Sequence, residues 1–162
     1  MRKLLYLFLA LLLPGLVFVF LKYAGSNRFD IPVLHTDDVS IPAECGWQIH
    51  SPYTLPDTVW KYTPRKGPAN VVIFPAKDVD PTIVAHDLSA EIGDRVAIIN
   101  ASEVMTDSLS RQRWKSCIFL LKEPRQTVLF DEKGRIRGYY DVRSRDEMDR
   151  LRVELKILLE QY

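Results

Sequence analysis

Thr127-Val-Leu-Phe-Asp131, the break Glu132-Lys133-Gly134, Arg135-Ile-Arg-Gly-Tyr-Tyr140 and then Ser144-Arg-Asp-Glu147 form the stretch that decides the fold. The two flanking runs are rich in β-branched and aromatic residues, and a glycine in a short polar break lets the backbone reverse, so they predict a strand pair. Ser144 and Glu147 have capping-box spacing, in which hydroxyl and carboxylate each satisfy an otherwise unpaired amide of a first helical turn. A helix is expected from there. Met148, Leu151, Leu155, Leu158, Leu159 and Tyr162 recur at three- and four-residue intervals, and Asp146 precedes Arg150 by one turn on the polar side. Such a stripe needs a surface to cover, and one face of a sheet supplies it.

Working upstream, Val71-Val-Ile-Phe74 is a short continuous apolar run suited to a buried central strand. Asp80 and Pro81 then stand as N-cap and first helical residue, Val84, Leu88 and Ile92 share a face, and Gly93 closes the segment. Arg95 to Asn100 returns as a second buried strand, so Val71 to Asn100 reads as a strand-helix-strand unit with parallel strands. Between Ser102 and Lys122 the pattern is weaker: Asp107 to Lys115 reads as helix, and Ser116 to Leu121 as either a third strand or the tail of that helix. The order of elements is that of a small thioredoxin-like domain.

Residues 128 to 141, Val-Leu-Phe-Asp-Glu-Lys-Gly-Arg-Ile-Arg-Gly-Tyr-Tyr-Asp, followed by Glu147-Met-Asp-Arg-Leu151, resemble the C-terminal end of Sco/SenC proteins. The resemblance spans roughly 35 residues, is weaker over Asn70 to Ile92, and is absent elsewhere. It implies a membrane-tethered thioredoxin fold that handles copper for respiratory oxidase assembly. Ser51 to Tyr62 is similar to the aromatic lead-in segment of such proteins, and reads equally as a packed loop whose Tyr53 and Trp60 cover core surface.

The 162 residues, 47% of them hydrophobic, make room for one compact domain and a tether. Leu4 to Leu21 carries no charge between Arg2-Lys3 and Lys22, and as a helix it would reach about 27 Å, enough for a bilayer core. It is expected to anchor the chain. A cleaved signal peptide is the competing reading, but the apolar run is long for that class and Tyr23-Ala24-Gly25 is a poor cleavage site. The basic N-terminus then places the soluble part outside, in a single-pass inner (cytoplasmic) membrane arrangement with a periplasmic C-terminal domain. Setting aside Arg2, Lys3 and Lys22 leaves 19 of the 22 basic residues against 21 acidic ones, with no basic field for nucleic acid. Six of the ten prolines, Pro32, Pro42, Pro52, Pro56, Pro64 and Pro68, fall between Lys22 and Asn70 and predict an extended arm.

The family's copper site, as the resemblance implies it, consists of two thiolates one helical turn apart at the start of the first helix and a distant histidine, a soft-metal donor set. Here Asp80 and Val84, or in an ungapped register Lys77 and Pro81, occupy the thiol positions, and Glu123 stands nearest the histidine. None is a soft-metal ligand. Cys45 and Cys117 remain, and read either as a structural disulfide between arm and domain or as two separate buried thiols. A relocated metal site would combine Cys45, Cys117 and one of His35, His50 or His86, His86 being the nearest to the helix start. No motif spacing supports it. The serines 108, 110 and 116 lack a His and Asp at motif distance, and no phosphate-binding glycine loop occurs.

The expected protein is therefore an α/β, thioredoxin-like sheet with flanking helices, preceded by one transmembrane helix. Residues 1–22 form the anchor, 23–69 a Pro-rich extracytoplasmic arm and 70–162 the Sco-like domain. No catalytic, cofactor-binding or metal residues of the family's kind are expected, and function is assigned to contacts with a protein partner in the cell envelope, beside oxidase assembly. The alternative is an active copper chaperone or thiol-disulfide oxidoreductase using Cys45 and Cys117.

Overall fold

A computed structural model describes residues 2–24, 30–37, 39, 41–46, 51–63 and 67–161. The chain divides into two compact units, Met1–Asp30 and Ile31–Tyr162. The first contains helix α1, Arg2–Ala24, with Pro14 inside it. Among the described residues no helix is long and apolar enough to cross a membrane. That finding overturns the transmembrane helix in the expected fold class, the anchor assigned to Leu4–Leu21, and the single-pass inner-membrane location built on it.

The second unit is a mixed α/β structure around a four-stranded sheet in the order β2-β1-β3-β4. Strand β1, Ala69–Ile73, is central and buried along its whole length, as its continuous apolar run requires. Helix α2, Pro81–Ile92, carries the chain across to β2, Val96–Asn100, which pairs parallel with β1. Strands β3, Thr127–Asp131, and β4, Ile136–Tyr140, form an antiparallel hairpin with β3 lying antiparallel to β1.

Asp131 builds the hairpin turn. Its Oδ1 accepts the amides of Lys133 and Arg135 at 3.0 Å, and its Oδ2 meets Arg135 at 2.7 Å and Arg137 at 3.5 Å. Gly134 takes φ +76°, a left-handed conformation that a side chain resists. At Gly138 a Cβ would collide with the Tyr140 ring, so glycine there makes room for the buried tyrosine.

Alternation along the strands gives the sheet two apolar faces. On one, Val71, Ile73, Leu129 and Tyr140 meet Leu88 of α2 and Leu151, Leu155, Leu158 and Leu159 of α5, Arg145–Gln161. This is the surface that the predicted helical stripe covers; Tyr162 lies outside the described residues. The expected capping box is only half made. Ser144 Oγ sits 3.5 Å from the Glu147 amide, but the Ser144 amide donates to Asp141 O, and Glu147 turns to Arg150 at 2.8 Å. Arg150 also meets Glu154 at 3.3 Å, so Glu147 and Glu154 take the place expected for Asp146.

On the opposite face Val72, Phe74, Val128, Phe130 and Ile136 pack against Tyr53, Leu55, Val59 and residues 118–121. The described residues between 31 and 63 are tied to the hairpin at two points: the Leu34 amide donates to Ile136 O at 2.8 Å, and the Leu55 amide to Gly134 O at 2.8 Å. After β2 come two short helices, α3, Ala101–Val104, and α4, Ser108–Arg113. α4 continues directly into a π-helical turn, Trp114–Ile118, so Ser116–Ile118 are the tail of that helix, and Phe119–Leu121 follow it as neither helix nor strand.

Candidate functional site

The start of α2 is where the resembled family keeps its thiols, and here its polar groups serve the helix. Asp80 accepts the Thr82 amide at 2.9 Å, and the Asn100 side-chain amide donates to Thr82 Oγ1 at 3.3 Å and to Glu103 at 3.0 Å. Pro81 is buried and Val84 packs against the α2/α5 core, while Lys77 is exposed. Glu123, nearest the family's histidine position, pairs with Lys115. The stretch that carries the resemblance is accounted for by hairpin geometry: Asp131, Gly134, Gly138 and Tyr140 make the turn and fill the core.

Cys45 and Cys117 form a disulfide, with Cα atoms 5.5 Å apart and both residues buried, at 4% and 2% exposure. Cys117 belongs to the π-turn, whose following residues pack on the face opposite α2. The bridge ties a short 3₁₀ turn, Ala43–Cys45, to that face. His86 is not part of it: it is 84% exposed on α2 and lies 3.7 Å from Asp87. His50 lies outside the described residues. Among the described residues no three His, Cys, Asp or Glu side chains come together as a metal-binding group.

Beside the disulfide, a cleft of about 260 Å³ is lined by His35, Val39, Pro42, Ser116, Leu120, Leu121 and Lys122. The end of the π-turn builds its floor. There the Phe119 amide reaches back to Trp114 O at 2.8 Å, which leaves late carbonyls without helical partners. Two phenols take them. Tyr53 Oη donates to Ile118 O at 2.5 Å and Tyr139 Oη to Phe119 O at 2.8 Å. Burial pushes the Tyr53 hydroxyl up to about 12 and raises that of Tyr139 as well, so both are donors at neutral pH.

Tyr139 fixes the state of His35. Its one proton goes to Phe119 O, so at the 2.8 Å contact with His35 Nε2 the phenol oxygen accepts and Nε2 carries the hydrogen. In the neutral ring Nδ1 is then a bare acceptor. Burial, and secondarily the Lys122 ammonium, lower the His35 pKa from its ordinary value and favour that neutral ring.

His35 at φ +61° and Leu120 at φ +52° are the non-glycine residues with positive φ among the described residues, and both line this cleft. For a bulky L-residue the left-handed region costs roughly 1–2 kcal/mol, and strain of this kind collects where side chains are held for a task. Sequence reasoning named His35 only as one of three histidines. No spacing could announce a site whose walls lie 104 positions apart, as His35 and Tyr139 do.

No family model matches the chain. No curated protein and no solved structure matches it either.

Proposed function

We propose that the domain is a non-catalytic binding protein with a Sco/SenC-like core, acting through contacts with other molecules and not through metal or thiol chemistry of its own. The observation that carries this reading is the Cys45–Cys117 bridge. Both sulfurs are spent on each other, buried, and carried by the turn Ala43–Cys45 and the π-turn, not by the helix start where the resembled family keeps its thiolates. A thiol in a closed, buried disulfide has no thiolate to offer a soft ion or to attack another disulfide. At the helix start itself, Asp80 caps and Val84 packs, so neither residue is free for a ligand role. The element order supports the core: a parallel strand-helix-strand unit, an intervening helical stretch, then a hairpin and a closing helix. Work beside respiratory oxidase assembly is what the resemblance of residues 128–151 adds.

The test is copper and thiol analysis of the purified full chain, with affinity capture from its own cells. Trace copper, no disulfide reductase activity and a reproducible protein partner are the expected results. Copper held mole for mole, or reductase activity abolished by Cys117→Ser, would overturn the reading.

A further inference from the structure

The cleft beside the disulfide holds polar capacity that the fold itself leaves over. Lys122 is exposed at its rim and makes no ion pair among the described residues. His35 uses Nε2–H on Tyr139, which leaves Nδ1 as an acceptor. Ser116 gives its proton to Gln112 O at 2.9 Å and keeps lone pairs. Among the described residues the remaining lining, Val39, Pro42, Leu120 and Leu121, is apolar.

We propose that this cleft binds a small carboxylate that carries a branched apolar group and a neighbouring N–H, as an N-acyl aliphatic amino acid or the last residue of a peptide does. The carboxylate meets the Lys122 ammonium, the N–H donates to His35 Nδ1, and the apolar group lies on Leu120 and Leu121. The chemistry selects this class. One ammonium balances one carboxylate, whereas a phosphate dianion asks for more donors, or a helix end, and the described lining residues supply neither. Two acceptors beside the cation call for a ligand that brings its own donor. A volume of about 260 Å³ is below the range of roughly 300–1,000 Å³ for drug-sized ligands and suits something smaller. The strained backbone at His35 and Leu120 is confined to the two walls this ligand would touch. The proposal does not depend on the Sco/SenC-like reading.

The test is an NMR titration of the full-length, disulfide-intact protein with N-acetyl-leucine, with N-acetyl-leucinamide, and with an eight-residue peptide ending in a free leucine carboxylate. N-acetyl-leucine should saturate with a Kd on the order of 1 mM, and the amide should bind about tenfold more weakly for want of the charge-assisted bond. Lys122→Met, at an exposed position, should weaken the acid by about tenfold and leave the amide unchanged. His35→Gln keeps a donor for Tyr139 and moves the acceptor from ring Nδ1 to an amide oxygen on the same carbon as that donor, out of line with the ligand N–H, and should weaken acid and amide alike. If that variant fails to fold, the Lys122→Met comparison decides. Tighter binding by the peptide than by the free acid supports a polypeptide as the source, and the reverse supports a small acid. Equal binding of acid and amide, an unchanged Lys122→Met, or no saturation by about 20 mM overturns the proposal.

Discussion

The two faces of the sheet are held by different kinds of information. The α2/α5 face is closed by residues three and four apart on two helices, a pattern repeated often enough that no single position carries it. The opposite face has an apolar cluster of its own and, beside it, single long-range ties: a disulfide across 72 positions, Tyr53 to Ile118 across 65, and His35 to Tyr139 across 104. A periodic stripe spreads its load over many equivalent positions, whereas the distant ties around the cleft can be removed one at a time. The cleft belongs to the second face.

Removing the disulfide should produce the largest difference between them. Cross-linking a loop of 72 residues is worth roughly 4 kcal/mol in the chain-entropy treatment. Cys45→Ser with Cys117→Ser, or reduction, should lower the urea unfolding free energy by about that amount. Hydrogen exchange should show protection lost first over residues 31–63 and 114–122, with β1 and β3 protected longest. Uniform loss across both faces would dissolve the distinction.

Truncating Leu155, fully buried against the sheet, should cost about 3 kcal/mol through lost burial and the cavity left behind. Because the stripe is repetitive, Leu155→Ala should lower protection across the whole unit and leave the cleft no more open than the rest. Selective opening of residues 31–46 in this variant would show that the two faces are not independent.

Tyr139→Phe acts at one tie. It strips the Phe119 carbonyl of its donor and leaves His35 Nε2–H without an acceptor, both in a partly buried place. A loss of about 2 kcal/mol is expected, measured by denaturant unfolding. Tyr53→Phe is the companion measurement, because it strips only Ile118 O. A smaller loss there would separate the His35 contribution from that of the carbonyl.

The same contrast explains what the sequence could disclose. Asp80 and Pro81 mark the start of α2 because capping is a matter of adjacent residues, and the hairpin at Glu132–Gly134 is readable because one aspartate and one glycine build it. The capping box at Ser144 was misread in part: spacing shows which bonds are possible, and Asp141 and Arg150 compete for the same groups. Ser116–Leu121 looked like a strand or a helix tail because a short apolar run fits both, and only the π-turn's tertiary partners decide. The cleft left no trace in local pattern. Positive φ at His35 and Leu120 follows from where distant segments meet, and neither residue type advertises it.

Acid gives the smallest and most local perturbation of the second face. His35 has a folded pKa lowered by burial and then by Lys122, so below the ordinary value near 6.5 the unfolded chain takes up the proton more readily than the folded one. Its contribution to stability is complete above that value and is lost as the pH falls through it toward the lower folded pKa. Among the described residues the groups that face the ring are the Lys122 ammonium, the Tyr139 hydroxyl and the Tyr53 ring, and burial raises both phenols further above that window. Asp141 and Asp107, whose carboxyls are held low by the Arg143 side chain and by Ser110 at a helix start, act only below their ordinary range near 3.8. Urea midpoints measured from pH 7.5 down to 5 should therefore fall in the native protein and fall less in His35→Gln. An equal slope in both would assign the acid sensitivity elsewhere and leave His35 neutral for a reason other than the one its burial supplies.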